Sequence, residues 1–144
     1  MSHQEIPCTY EPQASYAHLS PVDVALWERF MFAHPGRFDR VWYDFRVGDE
    51  DEIPEDEPYR TKQCWWDLTY WRIDVVAEDV NTIYVIEVKP AANAKAIGQA
   101  LAYATLYEED EKPGKKVVAV VLTDQIIPTT QRVAKRHGVE MWVA

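Results

Sequence analysis

The chain has 144 residues, of which 47% are hydrophobic and 12% aromatic, and its formal net charge at pH 7 is −9. This length and composition suit one folded domain with a single core and exclude an intrinsically disordered chain. The sequence has no run of about 18 apolar residues and no basic and apolar leader at its N-terminus, so we expect neither a membrane-spanning helix nor a signal peptide.

The negative charge is concentrated in one segment. Residues 49–58 contain seven acidic residues and no basic residue, whereas the rest of the chain has 17 acidic and 15 basic residues. We predict that residues 48–62 form a solvated acidic loop inserted in the domain. Proteins that bind DNA tightly are usually strongly basic, and this chain is not. Cys8 and Cys64 lack the spacing of metal ligands, so a reduced, cytoplasmic setting is expected.

The N-terminal part predicts an arm, a helix and a strand. Residues 1–20, which include two prolines, predict an extended arm. Ser20 followed by Pro21 is typical of a helix start, and apolar residues then recur at helical spacing up to Ala33. A His-Pro-Gly sequence ends this helix, and the aromatic segment 41–47 predicts a strand.

The rest of the chain alternates strands and helices. Residues 66–78 and 82–89 predict an antiparallel hairpin, which Pro90 ends because proline cannot donate to a strand ladder. The later segments predict a helix at 91–109, a fully buried strand at 117–122, a helix at 128–137 and a strand at 139–143. The order α-β-β-β-α-β-α-β over residues 1–144 predicts a single α/β domain with a central mixed β-sheet flanked by helices.

Three charged side chains lie within the predicted hairpin. Glu87 and Lys89 follow the apolar segment 83–86 and, because side chains alternate along a strand, both project from one face. Asp74 lies in the preceding apolar strand. Removing a charge from water is costly unless the group is paired or bound to a metal. Since carboxylate oxygens are ligands for Mg²⁺, the pattern predicts a metal site suited to phosphodiester cleavage.

This arrangement resembles the PD-(D/E)xK nuclease superfamily. Its motif is an Asp at a strand bend and then acid-x-Lys on the next strand, here Asp74 and Glu87-Val88-Lys89. Residues 21–122 match the element order of the restriction-endonuclease-like core. Two positions depart from the usual pattern, since Ile73 stands where the name of the motif implies Pro and Pro90 directly follows the lysine.

The resemblance extends to the following helix and implies a catalytic site. Gln99 and Tyr103 resemble the Gln-x-x-x-Tyr element of the lambda-exonuclease-like branch. The resemblance implies that Mg²⁺ (or Mn²⁺) is bound by Asp74, Glu87 and the carbonyl oxygen of Val88. Glu28 on the first helix is an additional candidate ligand. The catalytic residues that it implies are Asp74, Glu87, Lys89, Gln99 and Tyr103.

Ordinary structural roles also remain open for these residues. Glu87 could pair with Lys89, and Asp74 could pair with Arg72. The Gln-x-x-x-Tyr residues could be ordinary helix residues, and Glu28 could face solvent. The acid-x-Lys pattern alone is weak evidence, because a second copy at residues 110–112 is predicted to lie in solvent at a polar helix end.

Two further groups of residues have open interpretations. The aromatic cluster at residues 65–71 predicts either a core or partner interface, or stacking on bases. Basic residues late in the chain predict either a basic rim or a solvated helix face; they are Lys112, Lys115, Lys116, Arg132, Lys135, Arg136 and His137.

Two functions of different classes are consistent with these patterns. The first is a metal-dependent DNA nuclease, encoded by a phage or another mobile element. The second is a structural or adaptor protein, such as a component of a phage particle, that reuses the nuclease fold. Protein partners would then bind the acidic segment 49–58, the N-terminal arm and the aromatic cluster 65–71. In a third interpretation the acidic loop mimics DNA and covers the cleft.

Overall fold

A computed structural model of the chain describes residues 6–48, 56 and 71–144. The elements, numbered in chain order, are α1 (Pro21–Ala33), β1 (Arg40–Val47), β2 (Trp71–Glu78), β3 (Thr82–Val88), α2 (Ala94–Glu111), β4 (Lys116–Thr123), α3 (Pro128–Arg136) and β5 (Val139–Val143). The predicted order α-β-β-β-α-β-α-β is confirmed. Most of the predicted acidic loop (48–62) and most of the aromatic cluster (65–71) lie outside the described residues.

The five strands form one mixed sheet in the order β1-β2-β3-β4-β5. The pairs β1–β2 and β2–β3 are antiparallel, and β3–β4 and β4–β5 are parallel. A parallel pair needs a crossover connection, and α2 and α3 supply the two crossovers. The central strands are apolar on both faces, as β4 shows with six consecutive buried residues.

Most element boundaries agree with the predictions, and helix α2 is an exception. Its predicted start at residue 91 is wrong. Ala91 has a φ of +48°, which is incompatible with a right-handed helix, and Asn93 is the N-cap, whose side chain accepts from the Lys95 amide. The helix continues beyond residue 109 to Glu111, where Lys112 adopts a φ of +45°. Of the predicted strand 66–78, residues 71–78 are confirmed and residues 66–70 are not described.

The core has two halves, one on each face of the sheet. Helix α1 covers one face, where Leu26 and Trp27 pack against Val75, Ile86 and Val120. Helices α2 and α3 cover the other face, where the α2 residues Ala96, Ala100 and Ala104 meet strand residues from β1 to β5 and Ala134 of α3. No helix in the described part of the chain is long and apolar enough to span a membrane.

The described part of the predicted arm, residues 6–20, packs against the domain. Cys8 forms an isolated antiparallel bridge with Val41 on the edge strand β1, with N–O distances of 2.7 and 3.1 Å. The Tyr10 hydroxyl donates to the His34 carbonyl at 2.9 Å, and its ring packs edge-on against Phe38. The arm therefore protects the free edge of β1 and extends the core on the α1 face.

Glu78 connects β2 with β1 and with Lys115, which directly precedes β4, at the end of the sheet remote from Lys89. Its buried carboxylate accepts from Lys115 and from Arg40, whose Nη2 lies 2.6 Å from Oε2. Burial alone would raise the pKa of Glu78, but the hydrogen bonds and charges of Lys115 and Arg40 outweigh burial and lower that pKa. The ionised form is therefore favoured by folding.

Replacing Glu78 is expected to weaken the fold at neutral pH. A carboxylate whose pKa is lowered by folding stabilises the folded state fully at pH values above the pKa of the unfolded state, which is 4.5 for Glu78. This contribution is lost as the pH falls through the lower pKa of the folded state. We expect Glu78→Gln to lower the free energy of unfolding at pH 7 by about 1–2 kcal/mol and to reduce the loss of stability on acidification. Urea unfolding at pH 7 and in acid measures both effects, with the exposed Glu109→Gln as control. Equal stability of Glu78→Gln and wild type at pH 7 would contradict this.

Candidate active site

Asp74 lies where the side-chain alternation of β2 is broken. Ile73 and Val76 both belong to the core beneath α2, whereas Val75 faces α1. Asp44 lies opposite on β1, between the pairs Tyr43–Val75 and Phe45–Ile73, and has a φ of +55°. A non-glycine residue in this conformation within a strand is strained. The two strands therefore bend together at Asp44 and Asp74.

The bend directs the Asp74 carboxylate towards β3. Its Oδ2 accepts from the Val88 amide at 2.9 Å, in place of a backbone ladder bond. Arg72 is bound to Asp44, with Nη2 donating to Oδ2 at 2.8 Å, so the alternative pairing of Arg72 with Asp74 is not formed. The ion pair with Arg72 holds Asp44 in its strained conformation. The Asp74 carboxylate is therefore not bound to Arg72 and can interact with β3.

Asp74 and Glu87 form a close pair of buried carboxyl groups. They are only 7% and 8% exposed, and each affects the pKa of the other. Burial, and then the charge of Asp74, raises the pKa of Glu87 well above its ordinary value. Burial also raises the pKa of Asp74, although the Val88 amide opposes this increase. The pair therefore favours a proton or a cation between its oxygens.

Lys89 lies at the solvent boundary beside this pair. Its backbone amide donates to the Leu122 carbonyl at 2.8 Å, so the β3–β4 ladder continues one residue past β3 and holds the side chain on the face of Glu87. The side chain is exposed. Within the described chain Lys89 forms no salt bridge, so the alternative Glu87–Lys89 pair is not formed, although the lysine charge lowers the pKa of Glu87.

Helix α2 brings Gln99 and Tyr103 to the same site. The two residues are four apart on one helix, and the Gln99 side chain interacts with the Tyr103 hydroxyl. Burial, followed by the charges of Glu87 and Asp74, raises the pKa of Tyr103 to about 12, although the Gln99 side chain opposes this increase. Its ring packs edge-on against Trp71, with 5.9 Å between centroids. Tyr103 and its Gln99 partner therefore lie beside the carboxyl pair.

Asp23 is the acid of α1 whose charge acts on the candidate site. Its charge raises the pKa of both Asp74 and Glu87. Glu28, the candidate from the sequence, accepts from the Tyr16 hydroxyl at 2.9 Å and lies against the arm. Asp23 was missed because it has an obvious local role, the capping box with Ser20.

The side chains present suit a small hard cation. Among the described residues, no group of three or more His, Cys, Asp or Glu is arranged to hold a metal. Mg²⁺, however, needs only one or two carboxylates and retains several waters. Asp74 and Glu87 meet this requirement, because they are adjacent carboxylates whose negative form is disfavoured without a neutralising partner. The Val88 carbonyl is a third candidate ligand.

The comparisons with known proteins concern the fold. No protein-family model and no curated protein matches the chain. Among solved structures, it is similar to the crystal structure of a repair endonuclease from Pyrococcus abyssi, with a TM-score of 0.50 and 19% sequence identity. The chain has a restriction-endonuclease-like fold. The match covers 91% of this chain and 49% of that one, so the chain spans about half the length of the endonuclease.

Proposed function

We propose that this protein is a metal-dependent nuclease that hydrolyses phosphodiester bonds in DNA, and that Asp74, Glu87 and Lys89 form its catalytic centre. The observation that carries the proposal is the pair of buried carboxyl groups beside an exposed lysine at the end of β3. Such a pair lowers the stability of the fold, and a functional site explains its presence. The fold shared with a repair endonuclease supports the same activity.

Each residue has a specific role in this proposal. Asp74 and Glu87 would hold Mg²⁺ or Mn²⁺, which would supply Lewis-acid stabilisation of the charge that develops on the phosphate. The Lys89 ammonium would orient the attacking water and neutralise developing negative charge. Gln99 and Tyr103 would position Lys89 or a strand phosphate. The Val88 amide fixes the rotamer of Asp74, so one ligand is already oriented before binding.

The catalytic role of Lys89 can be tested with a matched control. We expect purified protein to nick or cut plasmid and linear duplex DNA with Mg²⁺ or Mn²⁺ and to be inactive in EDTA. Lys89→Ala should lower the rate by at least about 100-fold, because an ammonium that acts in the transition state contributes this much. Lys112→Ala changes the second acid-x-Lys sequence and should leave the rate unchanged.

Metal binding gives an independent readout. Mn²⁺ binding measured by calorimetry should be strong in wild type and in Lys89→Ala and much weaker in Asp74→Asn. No cleavage by wild type with any metal or DNA substrate, or full activity of Lys89→Ala, would refute the nuclease proposal. A stable protein complex that survives Asp74→Asn, without metal binding, would then favour the adaptor function.

A further inference from the structure

Helix α3 presents an unneutralised basic surface in an otherwise acidic protein. Arg132, Lys135 and Arg136 are exposed, and His137 follows them directly. Residues 125–139 contain no acidic residue, and only Ala134 of the helix is buried. Within the described chain none of the three cations forms a salt bridge. The helix is therefore free to attract an anionic partner.

The structure divides the late basic residues into two groups. Lys115 is bound to Glu78 and to the Asp79 carbonyl, so its charge is already used. Lys116 begins β4, at the opposite end of the strand from Thr123, and Lys112 ends α2. Among these late basic residues, the exposed cations that share one element are those of α3, which we call the α3 basic face (Arg132, Lys135 and Arg136).

This basic face lies on the side of the sheet that carries the candidate site. Ala134 of α3 packs in the same core as α2, and Glu87 projects towards that face. Strands β3 and β4 are parallel, with Val88 beside Leu122, and four residues separate the end of β4 from the start of α3. The N-terminus of α3 therefore lies at the sheet end that holds Glu87 and Lys89, and the helix runs away from it.

A groove between α3 and β5 continues this surface. Gln131, Arg132 and Lys135 form one wall, and Glu140, Met141 and Trp142 form the other. The Glu140 carboxylate accepts from the Trp142 indole at 3.1 Å, so this acid already has a partner on its own strand. The Trp142 ring stacks on Phe30 in the core beneath α1, so the groove offers no free aromatic surface. Its two cations, which form no salt bridge with the described residues, suit the phosphates of a nucleic-acid backbone.

We propose that the α3 basic face binds the phosphate backbone of the DNA whose scissile phosphate lies at Asp74 and Glu87. This inference rests on the proposed nuclease function and adds the course of the substrate over the protein. Arg132 and Arg136 are about 6 Å apart along the helix axis, roughly two nucleotide steps of about 3.4 Å per strand. In a chain of net charge −9, a local cationic surface is needed to offset general repulsion of DNA.

The test separates binding from cleavage. The triple variant Arg132→Gln, Lys135→Gln, Arg136→Gln is compared with a control triple of equal charge change, Arg29→Gln, Lys112→Gln, Lys116→Gln, whose residues are exposed and lie on other elements. Fluorescence anisotropy with labelled duplex and single-stranded DNA is measured in EDTA over a series of salt concentrations. We expect the α3 triple to bind about tenfold or more weakly and to lower the salt slope by about 2–3, the number of lost phosphate contacts. The control triple should bind DNA with an affinity and a salt slope close to those of wild type.

Each outcome decides the inference. Equal weakening by both triples, or no DNA binding by wild type, would overturn it. Weaker binding by the α3 triple in a protein that cuts no DNA would support the α3 face and refute the nuclease proposal. Cleavage of DNA by wild type, with equal DNA binding by the two triple variants, would support the nuclease proposal and refute the role of the α3 basic face. If circular dichroism shows that the α3 triple is unfolded, Arg132→Gln and Arg136→Gln alone should each lower the salt slope by about 1.

Discussion

Glu87→Gln is expected to abolish metal-dependent DNA cleavage and at the same time to stabilise the folded protein. The substitution removes one of two adjacent carboxylates, both more than nine-tenths buried, and keeps the shape of the side chain. The cleavage rate should fall by about 10²–10³-fold or more, because a metal ligand and its electrostatic effect on the phosphate are lost. The stability gain follows because burying a carboxylate beside another raises the pKa of Glu87 and disfavours its charged form at neutral pH.

The expected gain is about 1 kcal/mol, or a rise of roughly 3–5 °C in Tm, measured in EDTA by thermal unfolding. Added Mn²⁺ should raise the Tm of wild type and leave that of Glu87→Gln unchanged, since only a folded state that binds metal is stabilised by it. Glu109→Gln, which alters an exposed acid on α2, is the matched control and should resemble wild type in both assays. A lower Tm for Glu87→Gln would show that Glu87 has a structural role.

Trp27→Ala is expected to cause the largest loss of stability among the variants considered. Trp27 is fully buried, stacks on Phe30 with 5.7 Å between centroids, and packs edge-on against Tyr43 and Tyr10. Its indole also donates to the Tyr43 hydroxyl at 2.8 Å. Truncation should cost about 3–5 kcal/mol, because it opens a cavity and leaves that hydroxyl without its donor.

A loss of this size is a large part of the about 5–15 kcal/mol that stabilises a typical domain. Urea unfolding at 25 °C measures it, and Phe32→Ala is the matched control because Phe32 lies on the same helix and is 72% exposed. The control should change stability by less than about 0.5 kcal/mol. Because Tyr10 packs on Trp27, proteolysis of residues 6–20 should also be faster in Trp27→Ala. A loss below about 1 kcal/mol would contradict the importance of this cluster.

The sequence was a good guide to the elements because their signals are local. Ser20 and Pro21 mark the start of α1 through a cap and a permitted proline, and apolar runs mark the buried strands. The start of α2 was harder to predict from the sequence. Ala91 is a strong helix former by propensity, yet it has a φ of +48°, and the cap at Asn93 two residues later determines where the helix begins.

The candidate site was predictable where a residue conflicted with its local setting. A carboxylate in an apolar strand is such a conflict, and it singled out Asp74 and Glu87. Asp44 gave no comparable signal, because its left-handed conformation and its place opposite Asp74 depend on strand pairing. The catalytic roles of Asp74, Glu87, Lys89, Gln99 and Tyr103, and the metal role of Glu28, stay predictions. The experiments above test those of Asp74, Glu87 and Lys89.

The sequence by itself determined the order of helices and strands and the carboxylate–lysine pattern, because periodicity, caps and misplaced charges act over a few residues. Only the tertiary structure decided which acid of α1 acts on the site through its charge. Asp23 and Glu28 are about 140° apart around the helix axis, and only the packing of α1 on the sheet selects between these directions. The same holds for the α3 basic face. Its charges are evident in the sequence, but the parallel β4–β5 crossover decides that they lie on the face to which Glu87 projects.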